Sequence, residues 1–369
     1  MYEFVLYIIL SCSLIYFYNI LRFIVGIYVN EKHGSSSIAL PVSIIIAVKN
    51  GEKNLHRMLI ALSKQLYDGE MEFIIVDDNS SDNTRRIIHE HINLDHRFKY
   101  VESDIGNASL SHKKRALDAG INTSQYEHLL FTDIDCIIQK RWVSSMMNLF
   151  VDDVDYVVGH AYVKHRKSIL NKFQRVDLLM LLFAARSMIA LGSPWASIGQ
   201  NQAYTRTLYN RLGGFGLLAN YLQGDDTLFL QLALQNDANI VFNNQIDSYV
   251  ISRAELSWKT LILQRGRWSG DANVMWKFNL SFYIMALALW LMSGGILFLS
   301  AIYCINLLLI ILLLKLILEG FLYLAGSKSF NHQIYYLDFL IWFIIHPLYV
   351  FIMGIFSFVN FQWKGSSIK

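Results

Sequence analysis

Residues 73–91 read Phe-Ile-Ile-Val-Asp-Asp-Asn-Ser-Ser-Asp-Asn-Thr-Arg-Arg-Ile-Ile-His-Glu-His. An uncharged run of β-favouring residues ends in an acidic, turn-forming cluster, and from Thr84 to His91 the spacing turns helical. A strand that is apolar on both faces belongs in a sheet covered on two sides, as parallel sheets are. The same unit recurs around it. Upstream, Val42-Ser-Ile-Ile-Ile-Ala-Val48 lies between Pro41 and Lys49-Asn50-Gly51, and Leu55 to Leu66 carries apolar residues at helical intervals. Downstream come a strand at Lys99–Val101, a helix at Lys113–Ala119 and a strand at His128–Phe131. This alternation predicts an α/β domain with a mostly parallel, doubly wound, Rossmann-like sheet. Ligands of such sheets gather beyond the carboxyl ends of the strands. Asp77/Asp78 and Asp133/Asp135 both stand at that edge.

On either side of this middle the composition changes. The 369 residues are 54% hydrophobic and only 17% charged, whereas soluble chains average about a quarter charged. With 32 Lys+Arg against 29 Asp+Glu the net charge is +3, so no nucleic-acid partner is expected. Cys12, Cys136 and Cys304 are too dispersed for a disulfide framework or a zinc site and suit a reducing compartment. Phe4 to Leu21 is uncharged, and with Phe23–Val29 it is long enough to span a bilayer core. Its first cations, Arg22 and Lys32, follow the apolar run. Residues 1–32 therefore read as an uncleaved transmembrane anchor whose C-terminal side is cytoplasmic.

Phe278–Leu314 is too long for one helix, with Gly294-Gly295 and Asn306 as candidate breaks, and Ile334–Val359 is a further span holding Asp338, His346 and Pro347. The expected organisation is the anchor, a cytoplasmic catalytic domain over residues 33–277, and a membrane region over 278–369 with about three helices at 280–298, 300–320 and 334–358. That count leaves Lys364 and Lys369 on the outer side, against the positive-inside preference. Leu170–Leu191, apolar with Arg175, Asp177 and Arg186 among its residues, reads as a helix along the membrane interface. The setting is an inner or plasma membrane.

No Gly-x-Gly-x-x-Gly follows the first strand, and the chain has no P-loop, His-Glu-x-x-His or Gly-x-Ser-x-Gly. Dinucleotide oxidoreductases, P-loop nucleotidases, zinc proteases and serine hydrolases are disfavoured accordingly. Asp-x-Asp occurs twice, and position separates the two. Asp133-Ile-Asp135 emerges from a strand end, whereas Asp153-Val-Asp155 sits in a solvated turn before Tyr156-Val-Val158. Two carboxylates at a strand end can share a divalent cation that neutralises a diphosphate. Gly224-Asp225-Asp226 precedes the apolar helix Thr227–Leu234. One acid there is an ordinary N-cap, and a second suits a general base held near a hydroxyl. Gln264-Arg-Gly-Arg267-Trp268 fits either a membrane-interface anchor or a phosphate clamp with a Trp against a sugar face.

Taken in order, Ala47-Val-Lys-Asn50-Gly-Glu52, Val76-Asp-Asp-Asn-Ser-Ser-Asp82, Lys113-Lys-Arg-Ala-Leu117, Asp133-Ile-Asp135, Gly224-Asp-Asp226 and Gln264-Arg-Gly-Arg-Trp268 resemble glycosyltransferase family 2, in its membrane-bound branch with a Gln-x-x-Arg-Trp motif. The likeness spans roughly residues 40–270 and implies a GT-A fold and an inverting transferase of nucleoside diphosphate sugars, UDP-sugars foremost, dependent on Mg²⁺ or Mn²⁺. It implies nucleotide contacts from Ala47, Asn50, Glu52, Asp77, Asp78, Lys113 and Asp133, and metal binding by Asp135 with Asp133. Asp226 then matches the catalytic base, with Asp225 beside it, while Gln264, Arg265, Arg267, Trp268 and Asn201 serve donor diphosphate and acceptor. Two positions depart from the pattern: His112 stands where the lysine motif has glycine, and Asp225 where the acid pair has Glu. The few and mostly apolar membrane helices favour a lipid or lipid-linked glycan acceptor, as in the ceramide-glucosyltransferase-like members. A processive polysaccharide synthase is the alternative within the fold, and a non-catalytic membrane scaffold or transporter the alternative outside it.

Overall fold

A computed structural model of the chain describes residues 2–29, 39–151, 153–221, 223–302, 304–357, 362–363 and 366–367. In chain order these form α1 (Tyr2–Tyr28), β1 (Val42–Val48), α2 (Glu52–Ser63), β2 (Met71–Asp77), α3 (Thr84–Ile92), β3 (Phe98–Glu102), α4 (His112–Thr123), β4 (His128–Phe131), α5 (Trp142–Met147), β5 (Tyr156–Val158) and β6 (Ala161–Val163). There follow α6 (Ile169–Ala190), β7 (Gln202–Thr205), α7 (Arg206–Arg211), α8 (Thr227–Gln235), β8 (Ile240–Phe242), β9 (Val250–Ser252), α9 (Trp258–Val274), α10 (Leu280–Ala301), α11 (Ile305–Ser329) and α12 (Tyr336–Phe356). They group into two compact units, one of Glu31–Tyr162 with Ala196–Arg253, the other of Met1–Asn30, Val163–Trp195 and Ala254–Lys369.

The first unit is the α/β domain. Its seven-stranded sheet runs β3-β2-β1-β4-β7-β5-β8. The β1 residues Ile44, Ile45 and Ile46 are all fully buried, as are Phe73 to Val76 of β2. Each such side chain contributes about 1.5–3 kcal/mol on leaving water, which is why these strands read as unbroken apolar runs. β1 pairs in parallel with both β2 and β4, so the strand order reverses there and opens a crevice at the carboxyl edge. One strand breaks the parallel rule. β7 runs antiparallel to both β4 and β5, while β5 and β8 are parallel.

The second unit is helical. Glu3–Tyr28, Leu280–Ala301, Ile305–Ser329 and Tyr336–Phe356 are each long and apolar enough to cross a membrane. Three expectations shift here. Gly294 and Gly295 lie inside α10, which ends at Ala301, and Asn306 lies in the first turn of α11, which starts at Ile305. Lys315, which bounded the uncharged run, sits in mid-helix with Glu319. Both are 0% exposed and meet at 2.7 Å one turn apart, so the pair neutralises itself and the helix continues to Ser329. Lastly, Val163–Trp195 and the stretch after Arg253 belong to this unit and not to the α/β domain expected over 33–277. α6 packs against α1, α11 and α12 and is buried along most of its length. Its charges serve the interior instead of lipid headgroups: Asp177 meets Arg265 at 3.1 Å, and Arg186 donates to the carbonyls of Gly26 and Val29. Lys364 and Lys369, on which the expected placement of the tail turns, lie outside the described residues.

Candidate active site

At the carboxyl edge of the sheet, three segments far apart in sequence converge on one ammonium group. Lys113 Nζ, from the first turn of α4, lies 2.9 Å from Asp133 Oδ1 just beyond β4 and 3.1 Å from Asp225 Oδ2. Burial works against the charge of Lys113, but Asp133 and Asp225 outweigh it and hold its pKa well above that of a free lysine. Asp226 adjoins the pair. Its Oδ1 accepts from the Thr227 amide at 2.5 Å, making it the N-cap of α8, and its Oδ2 accepts from the Gly199 amide at 3.0 Å. Burial, and then the carboxylate of Asp225, push its pKa up to about 6, with Lys113 and the two amides opposing. A base poised near neutrality is suited to taking a proton from a hydroxyl.

The local backbone explains the convergence. Adjacent lysines of α4 divide the work. Lys114, 1% exposed, donates to the carbonyls of Leu218, Tyr221 and Gln223, fixing the loop that leads into Gly224-Asp225-Asp226. Gly224 has φ +110°, a conformation that favours glycine. Gln202 of β7 donates to the Asp225 carbonyl at 3.0 Å and accepts from Tyr156 and Ser197, so the antiparallel strand supports the acid pair from beneath. A Cβ at Gly199 would stand 3.0 Å from Lys113 Nζ and 3.2 Å from Asp225 Oδ2. The lack of a side chain there brings that loop onto the cluster. His112 adopts φ +52°. This accounts for the glycine that the resemblance expects at the position.

Asp133 and Asp135 fit a divalent cation as a partial set. Burial, and then Asp133, raise the pKa of Asp135 against the pull of Arg253, a like-charge strain that a bound cation would relieve. No cluster of three or more His, Cys, Asp or Glu suited to a metal occurs among the described residues, and Mg²⁺ commonly takes one or two carboxylates together with substrate phosphates. Arg57 fixes the turn by donating to the Asp135 carbonyl at 3.0 Å. The other Asp-x-Asp is elsewhere. Asp153 is exposed and precedes β5, at the amino end of a strand parallel to its neighbour β8.

Along the crevice, the turns after β1 and β2 are laced together. Asn50 accepts from the Ser81 amide and donates its own amide to Ser80, and Glu52 accepts from Asn83. Ala47 faces Val76 in register. Asp77 is buried and accepts from Tyr100 and the Ser80 amide. Asp78 is more open, accepting from Ser103 at 3.1 Å with Lys49 3.6 Å away. Asn201 is different in kind. It is 0% exposed, donates to the carbonyls of His160 and Ser248, and accepts from Trp142, so its polar atoms are spent on the fold.

Gln264, Arg265, Arg267 and Trp268 lie on α9, in the helical unit. Gln264, Arg267 and Trp268 are spaced to share one helix face, and Gln264 donates to Glu255 at 3.2 Å. Arg265 is 5% exposed, pairs with Asp177, and lies 3.8 Å from the centre of the Trp268 ring. It braces the motif from behind.

Comparison with known proteins bears on the fold and the family of the domain. Residues 43–213 match the family model of glycosyl transferase family 2. Poly-beta-1,6-N-acetyl-D-glucosamine synthase of Staphylococcus epidermidis is 29% identical over 143 residues, 38% of this chain and 33% of that protein. Poly(ribitol-phosphate) beta-N-acetylglucosaminyltransferase TarP of Staphylococcus aureus is 31% identical over 32% of this chain and 36% of its own length. The chain thus spans about a third of the length of these curated relatives. Among solved structures, a mannosyltransferase of Pyrobaculum calidifontis in complex with GDP-Man and Mn²⁺ superposes with a TM-score of 0.63, at 15% identity, over 95% of both chains. The fold is GT-A.

Proposed function

We propose, from the family 2 glycosyl transferase domain over residues 43–213, that this protein transfers a sugar from a nucleoside diphosphate sugar, a UDP-sugar foremost, to a lipid or lipid-linked acceptor at the cytoplasmic face of the membrane. The observation that carries the reading is the convergence of Lys113, Asp133, Asp225 and Asp226 at the carboxyl edge of the sheet. The acceptor hydroxyl oxygen attacks the anomeric carbon and its proton passes to Asp226 Oδ. The bond from that carbon to the diphosphate oxygen breaks, the electron pair leaves with the nucleoside diphosphate, and the centre inverts. Lys113 swings its charge onto the diphosphate. Asp78 contacts the base beside Asn50 and Ala47, and Asp133 the ribose. Arg267 and Gln264 orient diphosphate and acceptor, and Trp268 flanks the sugar.

Asp135 with Asp133 would hold a divalent cation, Mg²⁺ or Mn²⁺, which supplies charge to stabilise the departing diphosphate. Chelation then abolishes transfer, and Asp135→Ala weakens nucleotide affinity only when metal is present, while Asp153→Ala is silent. Equal metal-dependent nucleotide binding by wild type and Asp135→Ala refutes the role.

A lipid acceptor is supported by the character of the spans. A polymer passing among them needs partners for its hydroxyls, which lipid cannot offer. The most polar pair in the spans, Lys315 and Glu319, is 0% exposed and satisfied within the protein, Glu319 also accepting from Tyr16. Purified protein, radiolabelled donor and membrane lipid should yield an organic-soluble product carrying one added sugar. A long water-soluble polymer would mark a processive synthase instead.

A further inference from the structure

Between the end of α1 and the loop joining α11 to α12 lies a cleft of about 630 Å³, whose lining includes Tyr28, Phe321, Leu324, Ser327, Lys328 and His332. Two helices long and apolar enough to cross a membrane end here, at Tyr28 and Ser329, and a third begins at Tyr336. The cleft therefore sits where bilayer-facing surface gives way to water. Its walls differ accordingly. Phe321 and Leu324 are exposed apolar side chains of α11, whereas the far end is polar.

That polar end is not explained by helix capping. The Phe330 amide donates to the Gly326 carbonyl at 3.0 Å, His332 to Ser327 at 2.8 Å and Asn331 to Lys328 at 3.2 Å, with Asn331 left-handed at φ +54°. Backbone amides thus close the last turn of α11, and the side chain of Lys328 is not needed there. Among the described residues, no carboxylate lines the cleft. Ser327 is 0% exposed and its hydroxyl has no hydrogen-bond partner among the described residues, an arrangement that costs free energy unless another polar atom satisfies it. Arg175 donates to the Gln333 carbonyl at 2.6 Å beneath the loop, its charge met by Asp338 at 3.5 Å, so Lys328 is the cation that the cleft presents.

We propose that this cleft binds one membrane lipid with a phosphodiester headgroup of net charge −1, its phosphate at Ser327 and Lys328 and an acyl chain along Phe321 and Leu324. Basic pockets beside transmembrane helices recognise anionic headgroups in this way. The apolar wall, continuous with a candidate span, selects a lipid over free phosphate. The inference involves neither the acid cluster nor the sugar donor, and its test needs no activity.

The test is native mass spectrometry of the full chain in detergent, titrated with phosphatidylglycerol or phosphatidylcholine. One phosphatidylglycerol should be retained in preference to phosphatidylcholine, and millimolar inorganic phosphate should not displace it. Lys328→Ala should weaken the affinity about fivefold and Lys328→Glu about thirtyfold, as one or two units of surface charge imply. Lys259→Ala, an exposed lysine away from the cleft, should change nothing. Equal affinity across these variants, equal retention of the zwitterionic lipid, or displacement by phosphate would each overturn the proposal. So would a lipid-free dimer that Lys328→Glu dissociates.

Discussion

Charged side chains gather in two parts of this molecule and behave oppositely. At the carboxyl edge of the sheet a single ammonium, Lys113, faces Asp133 and Asp225, with Asp226 alongside. The cluster is left with an excess of negative charge. In the interior of the helical unit the charges are matched and sealed: Lys315 with Glu319, to which Tyr16 also donates, Arg265 with Asp177, and Arg175 with Asp338 at 3.5 Å. Balanced, enclosed pairs hold a structure in register. An unbalanced group in a crevice has reactivity to spare for a ligand.

That contrast can be broken by removing one charge from each place. Asp226→Asn should lower the transfer rate by about 10²–10⁴-fold with donor affinity retained. Asn is also a good N-cap, so the unfolding midpoint should hold; Asp225→Asn should cost less rate. Wild-type transfer should rise with pH through about 6, as the raised Asp226 carboxyl loses its proton, and Asp226→Asn should lose that limb. A silent Asp226→Asn beside an inactive Asp225→Asn would reassign the base. Lys315→Met should do the reverse, leaving the chemistry intact while destabilising the fold by about 3–5 kcal/mol through the stranded Glu319. Lys315→Met with Glu319→Met should restore most of that loss. Chemical denaturation of the three proteins in detergent checks this, and a neutral single variant would erase the distinction.

The smallest effect sharpens the comparison within the site. His112 holds φ +52° at the base of the cluster, so His112→Gly should raise stability by about 0.5–1 kcal/mol. Thermal unfolding of the two proteins at matched rates of turnover reads it directly.

Much of the site was legible because a parallel sheet writes its active edge into sequence as a strand followed by acids. β1, β4 and β5 begin and end where their apolar runs do, and Asp133 is separated from Asp153 by strand position alone. What stayed hidden depends on contacts between distant segments. Lys315 looks like the end of a membrane run, because a hydropathy pattern cannot register that Glu319, one turn on, neutralises it. α6 has the composition of an interfacial helix, since an apolar face beside Arg175, Asp177 and Arg186 looks alike whether the charges meet headgroups or Asp338 and Arg265. Asn201 resembles a ligand-binding residue until its three bonds to Trp142, His160 and Ser248 are seen. The antiparallel course of β7 leaves no mark in four residues.

The insertion of β7 between β4 and β5 imposes an order on biosynthesis. β1 to β4 can pair as soon as they have left the ribosome, for each has a partner among strands already made. β5 cannot. Both of its neighbours, β7 and β8, are translated later, after the chain has laid down α6 of the helical unit. At roughly 5–20 residues per second, Tyr156–Val158 waits seconds with both edges unpaired, while its neighbour-to-be emerges behind a long apolar helix. The nascent α/β domain is thus a half-sheet with an open flank. Chaperone binding or premature aggregation should concentrate in chains stalled between residues 158 and 205 and decline once β7 has been made.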